Sequence, residues 1–195
     1  MSAVTQSDQV GAEPVRLIDW EVAYRTATTL GRPGPKVTPA EAAEVVNAVR
    51  AASASAVEPV AHVTRLDVPV PAPALVVDRA GWIRANVGSF RTMLTPAFDQ
   101  VVRSRGKAPS PIVTMLGSRV TGAELGGALA FLSSRVLGQF DPFTADATGR
   151  LLLVAPNLVQ VQRELDVPAA DFKLWVCLHE ETHRAQFAAT PWLTD

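Results

Sequence analysis

The sequence predicts a mainly α-helical fold with a few short strands, an α+β class. Three observations lead there. Apolar residues recur at helical spacing over much of the chain, as in Trp82, Ile83, Val87, Phe90, Met93 and Leu94. Two apolar runs, Ala74-Leu-Val-Val77 and Leu151-Leu-Leu-Val-Ala155, are too short for helices and read as buried strands. Hydrophobic residues make up 48% of the 195 residues, enough to fill a core.

In chain order, residues 1–13 are polar and read as a disordered tail, and 14–195 as the folded domain. Residues 16–30 form the first helix, with Asp19 as its N-cap and Trp20, Val22 and Ala23 opening its apolar face. Gly31-Arg-Pro-Gly-Pro35 ends it. Thr38-Pro39-Ala40-Glu41 is a capping box with Pro at the first helical position. The helix it opens runs to about Val57, where Pro59 predicts a kink or restart before an exposed or capping His62.

Pro69, Pro71 and Pro73 mark an extended connector into the first strand, and Asp78-Arg-Ala-Gly81 reads as a turn after it. A helix follows from Trp82, and Thr95-Pro96 either kinks it or caps a second one. Ser104 to Pro111 is a basic loop. A helix over about 112–138 contains Gly117, Gly122, Gly126 and Gly127, which call for close helix–helix approach or for a break near Gly117–Thr121. Gly138-Gln-Phe-Asp-Pro142 ends that helix. The second strand stops at Pro156-Asn157, Leu158 to Leu165 is helical, and a last helix starts at Pro168-Ala-Ala-Asp171 and runs to about Ala188.

Composition narrows the function. A formal net charge of −1 argues against a nucleic-acid surface or a polybasic membrane patch. The most apolar long stretch, Ile112 to Leu137, carries Arg119, Glu124 and Arg135, so no membrane span is expected. The single Cys177 gives no disulfide framework and reads as a buried structural thiol. Met1 to Pro14 has no apolar run of the secretory kind, and the expected location is the cytoplasm.

One stretch suggests a reaction: His179-Glu180-Glu181-Thr182-His183, an H-E-x-x-H pattern. Residues four apart share a helix face, so both imidazoles can reach one metal ion. Glu180, beside the first His, can take a proton from a water held there. Leu174, Trp175, Val176, Leu178 and Phe187 predict that the helix is mostly buried. A catalytic zinc takes three protein ligands and keeps one open position. Gln186 and Ala189 occupy the places of Gly and His in a metzincin, which excludes that class. His62, Asp141, Asp146 and Glu164 could approach through folding, and nothing in their spacing selects one. The strand over 151–155 either offers an edge to an extended substrate or is simply core.

Further segments accompany this motif: Ile18-Asp19-Trp20, Asp78-Arg-Ala-Gly-Trp82 with Asn86, Val136-Leu-Gly-Gln-Phe-Asp141, Val154-Ala-Pro-Asn157, Phe172-Lys-Leu-Trp175, Gln186-Phe187 and Pro191-Trp192-Leu193. In this order they resemble the zincin-like metallopeptidase family of actinobacteria and relatives. Its members are labelled as hydrolases or as coenzyme F420 biosynthesis-associated proteins. The resemblance, over about residues 16–195, implies a zincin-like helical lobe with His179 and His183 as zinc ligands and Glu180 as the catalytic carboxylate. Chains of that family continue well beyond Pro-Trp-Leu, so the resemblance also implies a domain incomplete at its C-terminal end.

The expected function is zinc-dependent hydrolysis of a peptide or small amide, with Zn2+ as cofactor. The alternative is a truncated, non-catalytic helical lobe that pairs with a missing C-terminal half or with a second copy of itself.

Overall fold

A computed structural model describes residues 17–66, 73–104, 110–144 and 149–193. The expected tail (1–13), most of the Pro-rich connector, the central part of the basic loop and Asp146 lie outside the described residues. The elements are α1 (Trp20–Leu30), α2 (Pro39–Thr64), β1 (Leu75–Val77), α3 (Arg79–Ser104), α4 (Pro111–Ser133), β2 (Gly138–Asp141), β3 (Arg150–Val154), α5 (Ala155–Leu165), α6 (Ala169–Ala189) and a 3-10 turn at Pro191–Leu193. The α+β class is as predicted.

Strand β3 is the centre of a three-stranded sheet of order β1-β3-β2. It pairs parallel with β1, Val76 opposite Leu153, and antiparallel with β2, Gln139 opposite Leu152. Successive side chains on β3 point to opposite faces. Leu153 packs with Val49 and Ala56 of α2, Leu158 of α5, and Phe172, Val176 and Cys177 of α6. Leu152 and Val154 pack with Ala27 of α1, Trp82 and Ile83 of α3, and Leu129 of α4. Helices therefore cover both faces of the sheet, which is why β3 reads as a continuous apolar run rather than an alternating one.

The start signals of α1 and α2 hold. Asp19 caps α1 by accepting from the Val22 N–H at 3.0 Å. Thr38 and Glu41 make both bonds of the capping box. Several boundaries differ from the sequence reading. Helix α2 runs straight through Pro59 and carries His62, exposed, in its last turn. Helix α3 likewise passes through Pro96 without interruption. Each Pro leaves one carbonyl, of Ser55 and of Thr92, without its helical donor. Both of those residues are exposed, so solvent can replace the lost donor. Asp78 to Gly81 is the entry to α3 rather than a separate turn: the Asp78 carboxylate accepts from the Gly81 N–H at 2.6 Å.

Helix α4 has no break at Gly117–Thr121. Two of its glycines mark close approach to α1. A Cβ at Gly126 would stand 2.6 Å from the Ala23 carbonyl oxygen, and one at Gly122 would strike the Asp19 carbonyl oxygen. Gly117 and Gly127 face open space, and nothing in the structure explains them. The segment read as a helix stop, Gly138 to Asp141, is strand β2. Pro156 lies in the first turn of α5 rather than simply ending the strand.

Motif segments that are far apart in sequence meet around this sheet. The buried Arg79 donates to Asn157 Oδ1 at 2.7 Å, to the Arg32 and Pro33 carbonyls, and to Gln160 Oε1 at 2.6 Å. Asn157 in turn donates to the carbonyls of Ser133 and Val136. Gln139 links Trp82 Nε1, at 2.8 Å, to Asn86 Oδ1, at 3.1 Å. Most buried polar groups in folded proteins are satisfied in this way.

Lys173 on α6 is a weaker case. It is buried, and its ammonium donates to the Ala169 carbonyl at 3.2 Å. Burial lowers its pKa, so the charged form opposes folding. The resulting stability is present above the unfolded lysine value, about 10.4, and is lost as pH falls through the lowered folded value. Lys173→Met is expected to raise the melting temperature at pH 7, with the difference from the parent shrinking as the pH approaches 10. A variant less stable than the parent at pH 7 would show that the ammonium contributes more than its burial costs.

Candidate metal centre

Helix α6 presents two faces. Phe172, Val176, Cys177, Glu181, Arg184 and Ala185 are buried. Trp175, His179, His183 and Gln186 lie on the exposed stripe. The prediction of a mostly buried helix thus holds for one face only. Arg184 and Glu181 neutralise each other on the buried side, with Arg184 Nε donating to Glu181 Oε2 at 2.8 Å and a second, close bond between Nη2 and Oε1.

The two imidazoles converge. His179 Nε2 and His183 Nε2 stand 3.2 Å apart. Two nitrogens bound at about 2.0–2.1 Å to a tetrahedral ion would be about 3.3 Å apart, so the donor pair fits zinc. Gln186 Oε1 lies 3.2 Å from His183 Nδ1. An N–H on Nδ1 donating to that amide oxygen leaves the Nε2 lone pair for a metal. On the other side, the His179 ring stacks against Trp175, with centroids 6.1 Å apart.

Glu180, between the two histidines in sequence, lies against the sheet and is only 7% exposed. Strand β2 lies against it. The Val154 N–H donates to the Leu137 carbonyl at 2.9 Å. By antiparallel alternation, Gln139 and Asp141 then bond to β3, while the N–H and C=O groups of Gly138 and Phe140 face the free edge. Burial raises the Glu180 pKa above the ordinary carboxylate range. The charges of His179 and His183 and the Phe140 backbone amide act in the opposite direction. A carboxylate moved toward neutrality by desolvation is suited to taking and returning a proton. Phe140 also packs on Phe187 of α6, with ring centroids 5.6 Å apart, which holds the strand and the helix together.

Gly138 is a site residue that the sequence reading missed. A Cβ there would lie 2.6 Å from Glu180 Cγ and 2.9 Å from Cδ. The absent side chain is therefore what admits the carboxylate to the strand edge. Gly138→Ala is expected to displace Glu180 and cut any Glu180-dependent activity about tenfold or more, on the order of the loss from misplacing a catalytic group. The check is activity together with circular dichroism and zinc binding. Unchanged activity would show that Glu180 works from another position.

The other candidates stand apart. Asp141 is held by Ser89 and Arg150, Glu164 accepts from Gln160 on α5, and His62 is at the end of α2. Among the described residues no group of three His, Cys, Asp or Glu is placed to hold a metal. Strand β3, paired on both sides, has no free edge, which overturns the idea that it offers one; the free edge beside α6 belongs to β2. Burial, with the Glu180 and Glu181 carboxylates adding to it, pushes the Cys177 thiol up to about 12, as fits a structural thiol. A separate cleft of about 770 Å³ includes Trp20, Tyr24, Arg84, Arg91 and Phe98 in its wall, and none of its lining residues belongs to α6.

A helical fold around a small sheet, with an H-E-x-x-H helix whose two imidazoles converge beside a buried carboxylate, defines a zincin-like protein. The sequence profile of the zincin-like metallopeptidase family matches residues 18–195, and the chain belongs to that family. A crystal structure described as "a putative hydrolase with a novel fold" from Chloroflexus aurantiacus is similar, with 32% identity and a TM-score of 0.69. The match covers 91% of this chain and 55% of that chain, so this chain spans little more than half the length of its structural relative. No curated protein matches. Among the described residues no helix is long and apolar enough to cross a membrane.

Proposed function

We propose that this chain carries the zinc-binding helix and general base of a metallopeptidase-type hydrolase acting on a peptide or small amide. The observation that carries the reading is the convergence of His179 Nε2 and His183 Nε2 at 3.2 Å beside the buried Glu180. His179 and His183 would hold the ion. Zinc, when bound there, lowers the pKa of water and polarises a carbonyl. Gln186 orients the His183 ring. Glu180 takes a proton from the attacking water, holds it on its carboxyl, and delivers it to the leaving amine nitrogen. The Phe140 amide and the absent side chain at Gly138 fix where that carboxyl stands. A cytoplasmic location belongs to the same reading, supported by the single buried thiol.

A second reading is supported by two observations. No third ligand stands near the pair among the described residues, and Trp192 and Leu193 are 70% and 44% exposed. On that reading the chain is a non-catalytic lobe that pairs with a further segment or a second copy, which supplies the third ligand and covers the apolar surface. The test is release of free amine from a peptide mixture by the zinc-loaded chain, with the chain's mass in solution measured alongside. Chelator-sensitive release by a monomer supports the hydrolase reading. A zinc-free chain, or one that takes up zinc only on pairing, supports the second and counts against the first.

A further inference from the structure

We infer that Trp175 is a positioning residue for the candidate metal centre: its indole, anchored on Phe172, holds the His179 ring in the orientation that brings His179 Nε2 to His183 Nε2. The inference rests on the reading of the histidine pair as a metal site. Trp175 acts through His179 and touches neither ion nor substrate. The two imidazoles are held unequally by hydrogen bonds. His183 has Gln186 Oε1 at 3.2 Å from its Nδ1, a polar partner that fixes the ring from behind. Among the described residues the His179 ring has no such partner. Its one hydrogen-bond contact is the His183 Nε2 on which it converges, at 3.2 Å. That contact stops orienting the ring once both Nε2 lone pairs are directed at an ion. The orientation of this exposed imidazole then has to come from packing.

The packing comes from a row of rings along α6. Trp175 stands four residues before His179, the spacing at which helical side chains are neighbours. Their rings stack with centroids 6.1 Å apart and planes 26° apart. Trp175 stacks in turn on Phe172, at 6.4 Å and 20°. Phe172 is 8% exposed and packs in the cluster of Val49, Ala56 and Leu153. Orientation is therefore passed from the core through Phe172 and Trp175 to His179. The last contact in the row is edge-on: His179 and His183 meet with centroids 4.7 Å apart and planes at 89°. This row also accounts for an indole that is 61% exposed, because a ring turned into the core could not lie against His179. Each stack between rings of this kind adds to the stability of one arrangement over others. Fixing a ligand side chain beforehand removes the cost of ordering it when the ion binds.

The test compares the full-length parent with two ringless variants, Trp175→Ala and Trp175→Leu, and with Trp175→Phe, which keeps a ring. The first readout needs no metal. At about pH 8.5, where imidazoles of ordinary pKa are neutral, the ring-proton resonances of His179 are assigned by their disappearance in His179→Ala. In the parent they are expected to be displaced by the indole ring current. In the ringless variants they move toward the positions of the exposed His62, while the circular dichroism stays that of the parent. The second readout is the affinity for zinc alone, by competition with a chelator. It is expected to fall about threefold to tenfold in the ringless variants and to stay within about twofold of the parent in Trp175→Phe. His179 resonances that are the same in parent and ringless variants overturn the proposal. So does a zinc affinity unchanged in those variants, or one that Trp175→Phe fails to restore. A parent that takes up no zinc would count against the hydrolase reading, and the His179 resonances would still decide whether Trp175 orients that ring.

Discussion

Glu180→Gln is expected to lower hydrolysis by about 10²–10⁴-fold, the usual contribution of a positioned general base, while zinc binding stays at the parent's level. The amide keeps the shape of the carboxyl, so the buried slot against Gly138 stays filled and the helix stays packed. What is lost is the ability to accept a proton. The two imidazoles lie on the exposed stripe and converge with each other and with Gln186, and none of those contacts is made by the Glu180 side chain. Activity and metal content measured on the same preparation provide the check. Turnover within a few-fold of the parent would remove Glu180 from the reaction. Loss of zinc together with turnover would make Glu180 a ligand rather than a base.

The second large effect is on stability. Asp141 ends β2 and is almost fully buried. Its Oδ2 accepts from Ser89 Oγ at 2.5 Å and from Arg150 Nε and Nη2 at 3.0 and 2.9 Å, while Oδ1 accepts from the Phe143 N–H at 3.2 Å. Asp141→Ala removes all four bonds and leaves a guanidinium facing a buried space. Breaking a buried ion pair from one side costs about 3–5 kcal/mol, and the lower end applies because Arg150 keeps a 30% exposed side chain. The expected loss is therefore about 3 kcal/mol, read as a lower urea midpoint with an unchanged slope. A loss under about 1 kcal/mol, the range of exposed pairs, would show that Arg150 simply turns to solvent. Because Asp141 anchors the strand that carries Gly138 and Phe140, the variant is also expected to loosen the seat of Glu180.

The parts of this fold set by local chemistry were legible in the sequence. The Thr38–Glu41 capping box, the Asp19 cap and the spacing of His179 and His183 need only neighbours within one helical turn. The misread parts depend on distant partners. Gly138-Gln-Phe-Asp141 has no β-branched residue and is followed by Pro142, so local propensity favours a stop. It becomes a strand because β3 pairs with it and because Gln139 is held by Trp82 and Asn86. Pro59 and Pro96 are tolerated inside their helices because the residues whose carbonyls lose a donor, Ser55 and Thr92, are exposed, a fact of packing rather than of sequence. At the site, the candidate base and the two candidate ligands could be read from five consecutive residues. Gly138 could be identified only once a strand edge was seen against Glu180. The exposure of Trp175 could not be read either, since its apolar neighbours suggested burial.

Zinc binding by this chain depends first on the histidine pair. The most direct measurement is zinc bound per folded chain, by competition with a chromogenic chelator, for the parent and for His179→Ala and His183→Ala. The structure-based expectation is one zinc per parent chain and an affinity at least tenfold weaker in each variant, the order of loss expected even for a disturbed outer-shell partner. Equal binding by parent and variants, or no binding by a parent shown to be folded, would contradict it.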